Sequence, residues 1–187
     1  AHFIFLTPFR FFMSSWLDVA LLAVLIVLNG VFAMSEISLV TSRRARLQRL
    51  IDDKVAGAER ARELNADPNR ALSTIQVGIT SIGILSGIVG ESALARPMEA
   101  FLVMVGLSPE TAKAIGLFVV VVLITYFSIV MGELVPKRIG QISPERIACR
   151  LAPPIHCLSI IAAPFVKLLS ASTHLLLKRL GISETQG

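Results

Sequence analysis

Three long runs without a charged residue are the feature that most constrains the fold of this chain. They are Val19–Ser35, Ala71–Gly90 and Ala114–Gly132, of 17, 20 and 19 residues. At about 1.5 Å per residue, a helix of this length, with its flanking turns, crosses the roughly 30 Å hydrocarbon core of a bilayer. Only helices and closed barrels satisfy all their backbone polar groups in lipid. The runs therefore predict spanning helices over about 16–39, 71–90 and 114–135.

The composition supports a membrane protein. Of the 187 residues, 54% are hydrophobic and 17% are charged, and the mean hydropathy is +0.73. A soluble domain usually has about 25% charged residues, and disordered chains are more polar still. The sequence therefore predicts an all-α membrane protein rather than a cytosolic globular domain or a disordered segment.

The position of the charges predicts an orientation and a lipid partner. The net charge of +5 is compatible with nucleic acid, but the basic residues flank the apolar runs, as expected next to anionic lipid. The connection between the first two runs has eight bases, whereas the next has two bases beside three acids. The positive-inside rule then places the N-terminus outside and the first connection and the C-terminal part in the cytoplasm. No nucleic-acid partner is expected.

Two segments outside the three runs have their own predictions. The segment 43–66 mixes charged residues with periodic apolar ones and predicts cytoplasmic helices. Residues 151–177 are apolar but contain Pro153, Pro154, Pro164 and Lys167. Because proline removes a backbone donor and kinks a helix, 144–180 is predicted to form broken, interfacial helices instead of a fourth crossing.

The second run has a stripe of small and polar residues. Their spacing (i, i+3, i+7, i+10 and i+14) places them on one helix face, and such stripes usually indicate close helix packing; the members are Ser73, Gln76, Thr80, Gly83 and Gly87. Gln76 is the exception, because a glutamine side chain in lipid needs hydrogen-bond partners.

The end of the third run has the strongest indication of chemistry. Pro136 has no N–H, so in a helix the carbonyl of Gly132 loses its partner beside the carboxylate of Glu133. A carboxylate with a free carbonyl is the kind of hard-oxygen cluster that a small divalent cation needs. Alternatively, Glu133 marks the end of the span and pairs with Lys137, four residues later. The geometry alone leaves both interpretations open.

An enzyme is the class with the least support. The sequence has no HExxH, GxSxG or P-loop motif, and its three histidines lack ligand spacing. Cys149 and Cys157 form no CxxC pattern, so neither a disulfide framework nor a zinc site is predicted.

Three segments, in order, resemble the transmembrane domain of the CorC / cyclin M (CNNM) family. They are Asn29–Leu39 with the following Ser42–Leu47, then Asp67–Thr80, and then Gly132–Lys137. Together they cover most of 17–150. The resemblance implies a homodimer of three-span protomers with juxtamembrane helices, located in the plasma membrane. It also implies Mg²⁺ transport, with export as the expected direction and Na⁺ entry as the candidate coupling gradient.

The resemblance also assigns site residues. The serine of the family's ion site corresponds to Ser35 and its essential acid to Glu133, while Ser73 lies where the second span contributes a hydroxyl. Relatives often have asparagines where this chain reads Gly78–Gly83, so Gln76 or Thr80 is expected to substitute. Relatives usually continue into cytosolic CBS domains, which are absent from this chain, so no nucleotide site is expected in it.

The resulting hypothesis is that Ser35, Ser73 and Glu133 converge around one Mg²⁺, with main-chain carbonyls near Gly132 completing its oxygen shell. The alternative is a membrane anchor and dimerisation module, in which the polar stripe packs helices and the function resides in cytosolic domains.

Overall fold

A computed structural model describes residues 7–180 of the chain. These residues form eight α-helices and two π turns, with no β-strand among them. The helices are α1 Thr7–Thr41, α2 Arg44–Asp52, α3 Ala58–Ala66, α4 Pro68–Gly90, α5 Arg96–Met104, α6 Pro109–Ile129, α7 Val135–Ile142 and α8 Pro144–Arg179. One π turn, Glu91–Ala95, joins α4 to α5, and the other, Val130–Leu134, joins α6 to α7. The predicted all-α class agrees with this architecture.

Four helical segments are long and apolar enough to cross a membrane. They are Trp16–Thr41, Ala71–Met104, Pro109–Ile142 and Pro144–Arg179. The first three contain the three predicted spans. The second continues beyond its predicted end through the π turn Glu91–Ala95, and the third, whose π turn lies inside the predicted span, continues to Ile142. The fourth contains the segment that was expected to lie at the interface.

The chain divides into two compact units. One contains the described parts of Ala1–Met34 together with Gly78–Ile142, and the other contains Ser35–Val77 with the described part of Ser143–Gly187. The unit boundaries fall inside α1 and inside α4, so each of these helices contributes one part to each unit.

In the first unit, α5 packs against α6 as a helical hairpin. Ser108 begins α6 by accepting a hydrogen bond from the backbone N–H of Thr111 at 3.4 Å, and Pro109 occupies the first turn, as its φ angle favours. Gly116 allows α6 to approach the backbone of Glu99 in α5, where a Cβ would lie 3.3 Å from the Glu99 nitrogen.

In the second unit, the α2–α3 hairpin packs against α8. Glu145, at the start of α8, is buried; it accepts a hydrogen bond from the Arg43 N–H at 3.3 Å and lies 3.8 Å from the Arg46 guanidinium. Asn65 donates to the Leu39 carbonyl at 2.9 Å and so satisfies a backbone acceptor at the C-terminal end of α1. The segment predicted as helices over 43–66 therefore forms two short helices with a turn between them.

The expected break in 144–180 is absent, because α8 is one continuous helix with Pro153, Pro154 and Pro164 inside it. Proline removes one backbone donor but does not have to end a helix, because a neighbouring element can pack against the carbonyl four residues earlier or supply another partner for it. For Pro153 that carbonyl belongs to Cys149, and Gly57 of the α2–α3 turn packs directly against it. The α2–α3 hairpin therefore packs against α8 where Pro153 interrupts its hydrogen bonding.

We expect Gly57→Ala to lower the melting temperature of the purified protein more than Gly106→Ala. Both glycines have a positive φ (79° and 104°), so each alanine carries backbone strain of about 1–3 kcal/mol. A Cβ at Gly57 also collides with the Cys149 carbonyl, whereas nothing lies within 4 Å of a Cβ at Gly106. Thermal unfolding of both variants in detergent measures the difference, and equal losses would contradict the proposed packing on α8.

Candidate metal centre

The turn that contains Glu133 is a π turn inside a long apolar segment. The Val135 N–H donates to the Val130 carbonyl, five residues earlier, so the helix is locally widened before α7 begins. Pro136 follows at once, and it can donate neither to Gly132, four residues earlier, nor to Met131, five residues earlier. π turns of this kind occur frequently at functional sites.

The carbonyl of Gly132 has a partner that the sequence analysis did not identify. The side-chain amide of Asn29 in α1 donates to it, with 3.0 Å between Asn29 Nδ2 and the Gly132 oxygen. A carbonyl oxygen has two lone pairs, so this hydrogen bond leaves it able to accept a second partner. The sequence predicted that Pro136 leaves this carbonyl without a donor from its own helix. The contact is compatible with that prediction, because a neighbouring helix supplies a donor.

Two glycines allow α1 to approach this turn closely. A Cβ at Gly30 would lie 2.8 Å from Pro136 Cγ and 3.2 Å from the Met131 carbonyl oxygen. A Cβ at Gly132 would lie 3.2 Å from Asn29 Nδ2 and 3.3 Å from the Ile26 carbonyl oxygen. Both carbonyls that Pro136 cannot reach therefore face α1 at a crossing of small residues, which is a common geometry between membrane helices.

The Glu133 carboxylate forms an ion pair with Lys137. This pairing is one of the two interpretations that the sequence analysis left open. Lys137 Nζ lies 2.9 Å from Glu133 Oε1, four residues along the chain, and the Glu133 side chain is 46% exposed. The other protein groups therefore leave nearly half of the Glu133 side chain uncovered. The pair is therefore compatible with a site in which a cation competes with Lys137.

The other predicted site residues are distributed over both units. Ser35 is buried in the second unit, and its carbonyl accepts a hydrogen bond from Ser38 Oγ at 3.1 Å. Ser73 is half-buried and Gln76 is exposed, both in that same unit. Thr80 is exposed in the first unit, which also contains Gly132 and Glu133. Within the first unit, the structure brings Asn29 to the Gly132–Glu133 turn.

Across the described residues 7–180, no group of three or more histidine, cysteine, aspartate or glutamate side chains is arranged to hold a metal ion. At the Gly132–Glu133 turn, the oxygens shown side by side are the Glu133 carboxylate and the neutral Gly132 carbonyl. Mg²⁺ accepts such oxygen ligands and does not require several carboxylates.

The family model described as the cyclin M transmembrane N-terminal domain matches residues 20–187. The chain belongs to the CNNM family. With its apolar helices, this membership makes the chain part of a multi-pass membrane protein.

Several curated proteins resemble this CNNM domain. The UPF0053 protein sll0260 of Synechocystis is 42% identical over 170 residues, covering 91% of the chain and 38% of the relative. The UPF0053 protein YhdT of Bacillus subtilis is 33% identical, covering 87% and 35%. The polyamine export protein of Escherichia coli K12 is 31% identical, covering 76% and 32%. The chain thus spans less than two fifths of the length of these relatives.

A groove between α4 and α6 is a second notable feature of the CNNM domain. Its volume is about 410 Å³, and Gly83, Gly87, Ser86, Thr125, Ser128 and Glu91 contribute to its lining. Nothing lies within 4 Å of a Cβ built at Gly83 or Gly87. The two glycines that the sequence suggested for helix packing therefore contact no other helix within the described chain.

Asn29 is the residue of this centre that sequence reasoning missed. The sequence pattern predicted site residues in the polar stripe of the second run and the acid of the third, but it did not predict the side chain that meets the Gly132 carbonyl. An amide inside a charge-free run, on a helix that must pack against a proline-containing one, is the signal that could have identified it.

We expect Gly30→Ala to destabilise the CNNM domain, because the new methyl group would meet the rigid Pro136 ring at 2.8 Å and push α1 away from the turn. The matched control is Gly83→Ala, also in an apolar helix, where the methyl group enters open space and better helix propensity contributes up to about 1 kcal/mol. Thermal unfolding in detergent compares the two, and a Gly30→Ala melting temperature equal to that of the control would contradict the close crossing.

Proposed function

We propose that this CNNM domain transports Mg²⁺ across the membrane, with Glu133 as the acidic ligand. The observation that carries the proposal is the Gly132–Glu133 turn, where a carboxylate stands beside a carbonyl whose helix cannot supply its usual donor. The turn lies within Pro109–Ile142, a segment apolar enough to span the bilayer. An ionisable group inside a membrane-spanning segment is costly, and such groups usually mark ion or substrate pathways.

The proposed ligand set uses hard, short-reach oxygens. Mg²⁺ demands near-octahedral oxygen geometry at about 2.0–2.1 Å, which serine hydroxyls and main-chain carbonyls suit. We assign the hydroxyls of Ser35 and Ser73, the Gly132 carbonyl and the Glu133 carboxylate to the shell. Gln76 or Thr80 supplies the further second-span ligand in place of the asparagines of relatives. The convergence of these residues on one ion is part of the proposal.

The Glu133–Lys137 pair suits a transported ion better than a stored one. When no cation is bound, Lys137 balances the carboxylate, and the half-exposed carboxylate stays accessible to an incoming cation. When Mg²⁺ binds, a single carboxylate leaves the site with a net positive charge, which favours release. We therefore propose alternating binding and release, with export as the direction and Na⁺ entry as the coupled gradient.

The membrane arrangement belongs to the same proposal. The basic residues of the α2–α3 hairpin favour a cytoplasmic position for that hairpin in the plasma membrane, with the N-terminus outside. A homodimer of such protomers, each with three crossings or with α8 as a fourth, is the proposed assembly.

We expect Glu133→Gln to abolish Mg²⁺ binding, because the amide is isosteric but supplies no charge to balance the cation. In the unchanged protein, Mg²⁺ should raise the melting temperature, as a ligand that binds only the folded form must; at 100 times its Kd the stabilisation is about 2.7 kcal/mol. Calorimetric titration of both proteins in detergent gives the affinities.

The matched control for this experiment is Glu110→Gln. Glu110 is an exposed acid in the first turn of α6, outside the proposed site, so its replacement should leave the Mg²⁺ affinity unchanged. Equal affinity in the unchanged protein and in Glu133→Gln would reject the assignment of Glu133.

A second candidate function is export of an organic polycation. The Escherichia coli relatives bear the name polyamine export protein, and the groove between α4 and α6 combines an apolar wall with hydroxyls and the Glu91 carboxylate. An elongated ammonium compound could lie along such a groove with one charged end at Glu91. The Gly132–Glu133 turn favours the smaller, harder cation.

We expect Mg²⁺ to raise the melting temperature of the purified protein and spermidine, at the same ionic strength, to leave it unchanged. The physical reason is that the proposed shell of short oxygen ligands fits a bare divalent ion and not an alkylammonium group. The reverse result, which Glu91→Gln should then abolish, would favour the polycation. If neither cation changes the melting temperature, the anchor and dimerisation module is the better account.

A further inference from the structure

We propose that Asn29 is an additional ligand of the cation at the Gly132–Glu133 turn. Its amide nitrogen would orient the Gly132 carbonyl, and its side-chain oxygen Oδ1 would bind the ion directly. This inference rests on the function proposed above and adds a residue from α1 that neither the family resemblance nor the sequence pattern assigned to the site.

The first supporting observation is an unpartnered oxygen. Asn29 Oδ1 has less than 1 Å² of accessible surface and accepts no hydrogen bond from any described residue. Burying an acceptor without a donor or a cation is costly, so each such atom in a native structure needs an explanation. A bound cation supplies one.

The second observation fixes the orientation of the amide. Asn29 Nδ2 lies 3.0 Å from the Gly132 oxygen, which can only accept. Rotating the amide by 180° would place two acceptor oxygens against each other, so Nδ2 must face Gly132 and Oδ1 must be the atom left over. Asn29 therefore brings a free oxygen to the carbonyl that precedes Glu133.

The third observation is the space around the amide. A Cβ at Gly132 would lie 3.2 Å from Asn29 Nδ2, and Gly30 adjoins Pro136 in the same way. Because both positions are glycine, no side chain separates the Asn29 amide from the backbone of the turn. A neutral amide oxygen also adds a ligand without adding charge, so Glu133 stays the single carboxylate of the site.

The test compares Mg²⁺ titrations of Asn29→Ala and Asn65→Ala with that of the unchanged protein in detergent. Asn65 is the matched control, since its side-chain amide also donates to a backbone carbonyl, that of Leu39, at 2.9 Å. Both variants should lower the melting temperature without Mg²⁺, because both lose a hydrogen bond. Only Asn29→Ala should weaken the Mg²⁺ Kd, by about tenfold or more, which corresponds to about 1.4 kcal/mol.

A second variant, Asn29→Asp, separates a ligand from a purely structural residue. Aspartate keeps an oxygen at the ligand position but cannot donate to Gly132, so a ligand role predicts tighter Mg²⁺ binding than in Asn29→Ala, to within about threefold of the unchanged protein. A structural role predicts that Asp and Ala are equally harmful. This variant also serves if Asn29→Ala fails to fold.

The outcomes separate this inference from the function on which it rests. Loss of Mg²⁺ binding in Glu133→Gln with an unchanged Kd in Asn29→Ala would overturn the role of Asn29 alone. Unchanged binding in Glu133→Gln would overturn the proposed function itself. A weakened Kd in Asn29→Ala, a recovery in Asn29→Asp and no change in Asn65→Ala would support Asn29 as a ligand.

Discussion

The hydrogen bond from Asn29 to the Gly132 carbonyl is the contact on which the candidate site depends. Pro136 cannot donate to either carbonyl that would normally face it, so the third apolar helix has to find partners for its backbone outside itself. The α1 helix provides a donor for the Gly132 carbonyl through Asn29, and Gly30 lets α1 approach the Met131 carbonyl closely. In lipid, where water cannot substitute, a carbonyl without a partner costs several kcal/mol. The proline therefore creates the need for a donor from another helix, and Asn29 and Gly30 allow α1 to meet it at close range.

A related arrangement occurs in the second unit. Pro153 leaves the Cys149 carbonyl of α8 without its usual donor, and the Gly57 backbone packs against that oxygen from the turn between α2 and α3. In both places a proline lies inside a continuous apolar helix, and a position without a side chain allows another element to reach the exposed backbone. Proline in these helices thus marks a packing position. This is why treating the prolines of 144–180 as helix breaks gave an expectation that differs from the observed single helix.

The parts that the sequence predicted well are those decided by local chemistry. Charge-free runs locate the apolar helices, and the four-residue spacing of Glu133 and Lys137 places the two side chains within reach. The partner of Gly132, the continuity of α8 and the open face at Gly83 and Gly87 depend instead on which helix faces which. Periodicity identifies a face but not its neighbour, so a small-residue stripe looks the same whether it packs inside the chain or is left open.

The way the Gly132 carbonyl is held has a consequence for the proposed transport of Mg²⁺. A carbonyl fixed by its own helix moves only if that helix unwinds, whereas this one is oriented by a side chain of another helix. A shift of α1 along the turn would change the direction of the Gly132 oxygen and the position of Asn29 Oδ1 together, while Glu133 stayed with Lys137 on its own segment. Affinity for a small cation is sensitive to such displacements, because Mg²⁺ tolerates little departure from octahedral geometry. Small movements between packed helices, which need no unfolding, are among the known ways in which proteins change between states. The contact that stabilises the turn is thus also the contact through which helix movement would control release of the ion.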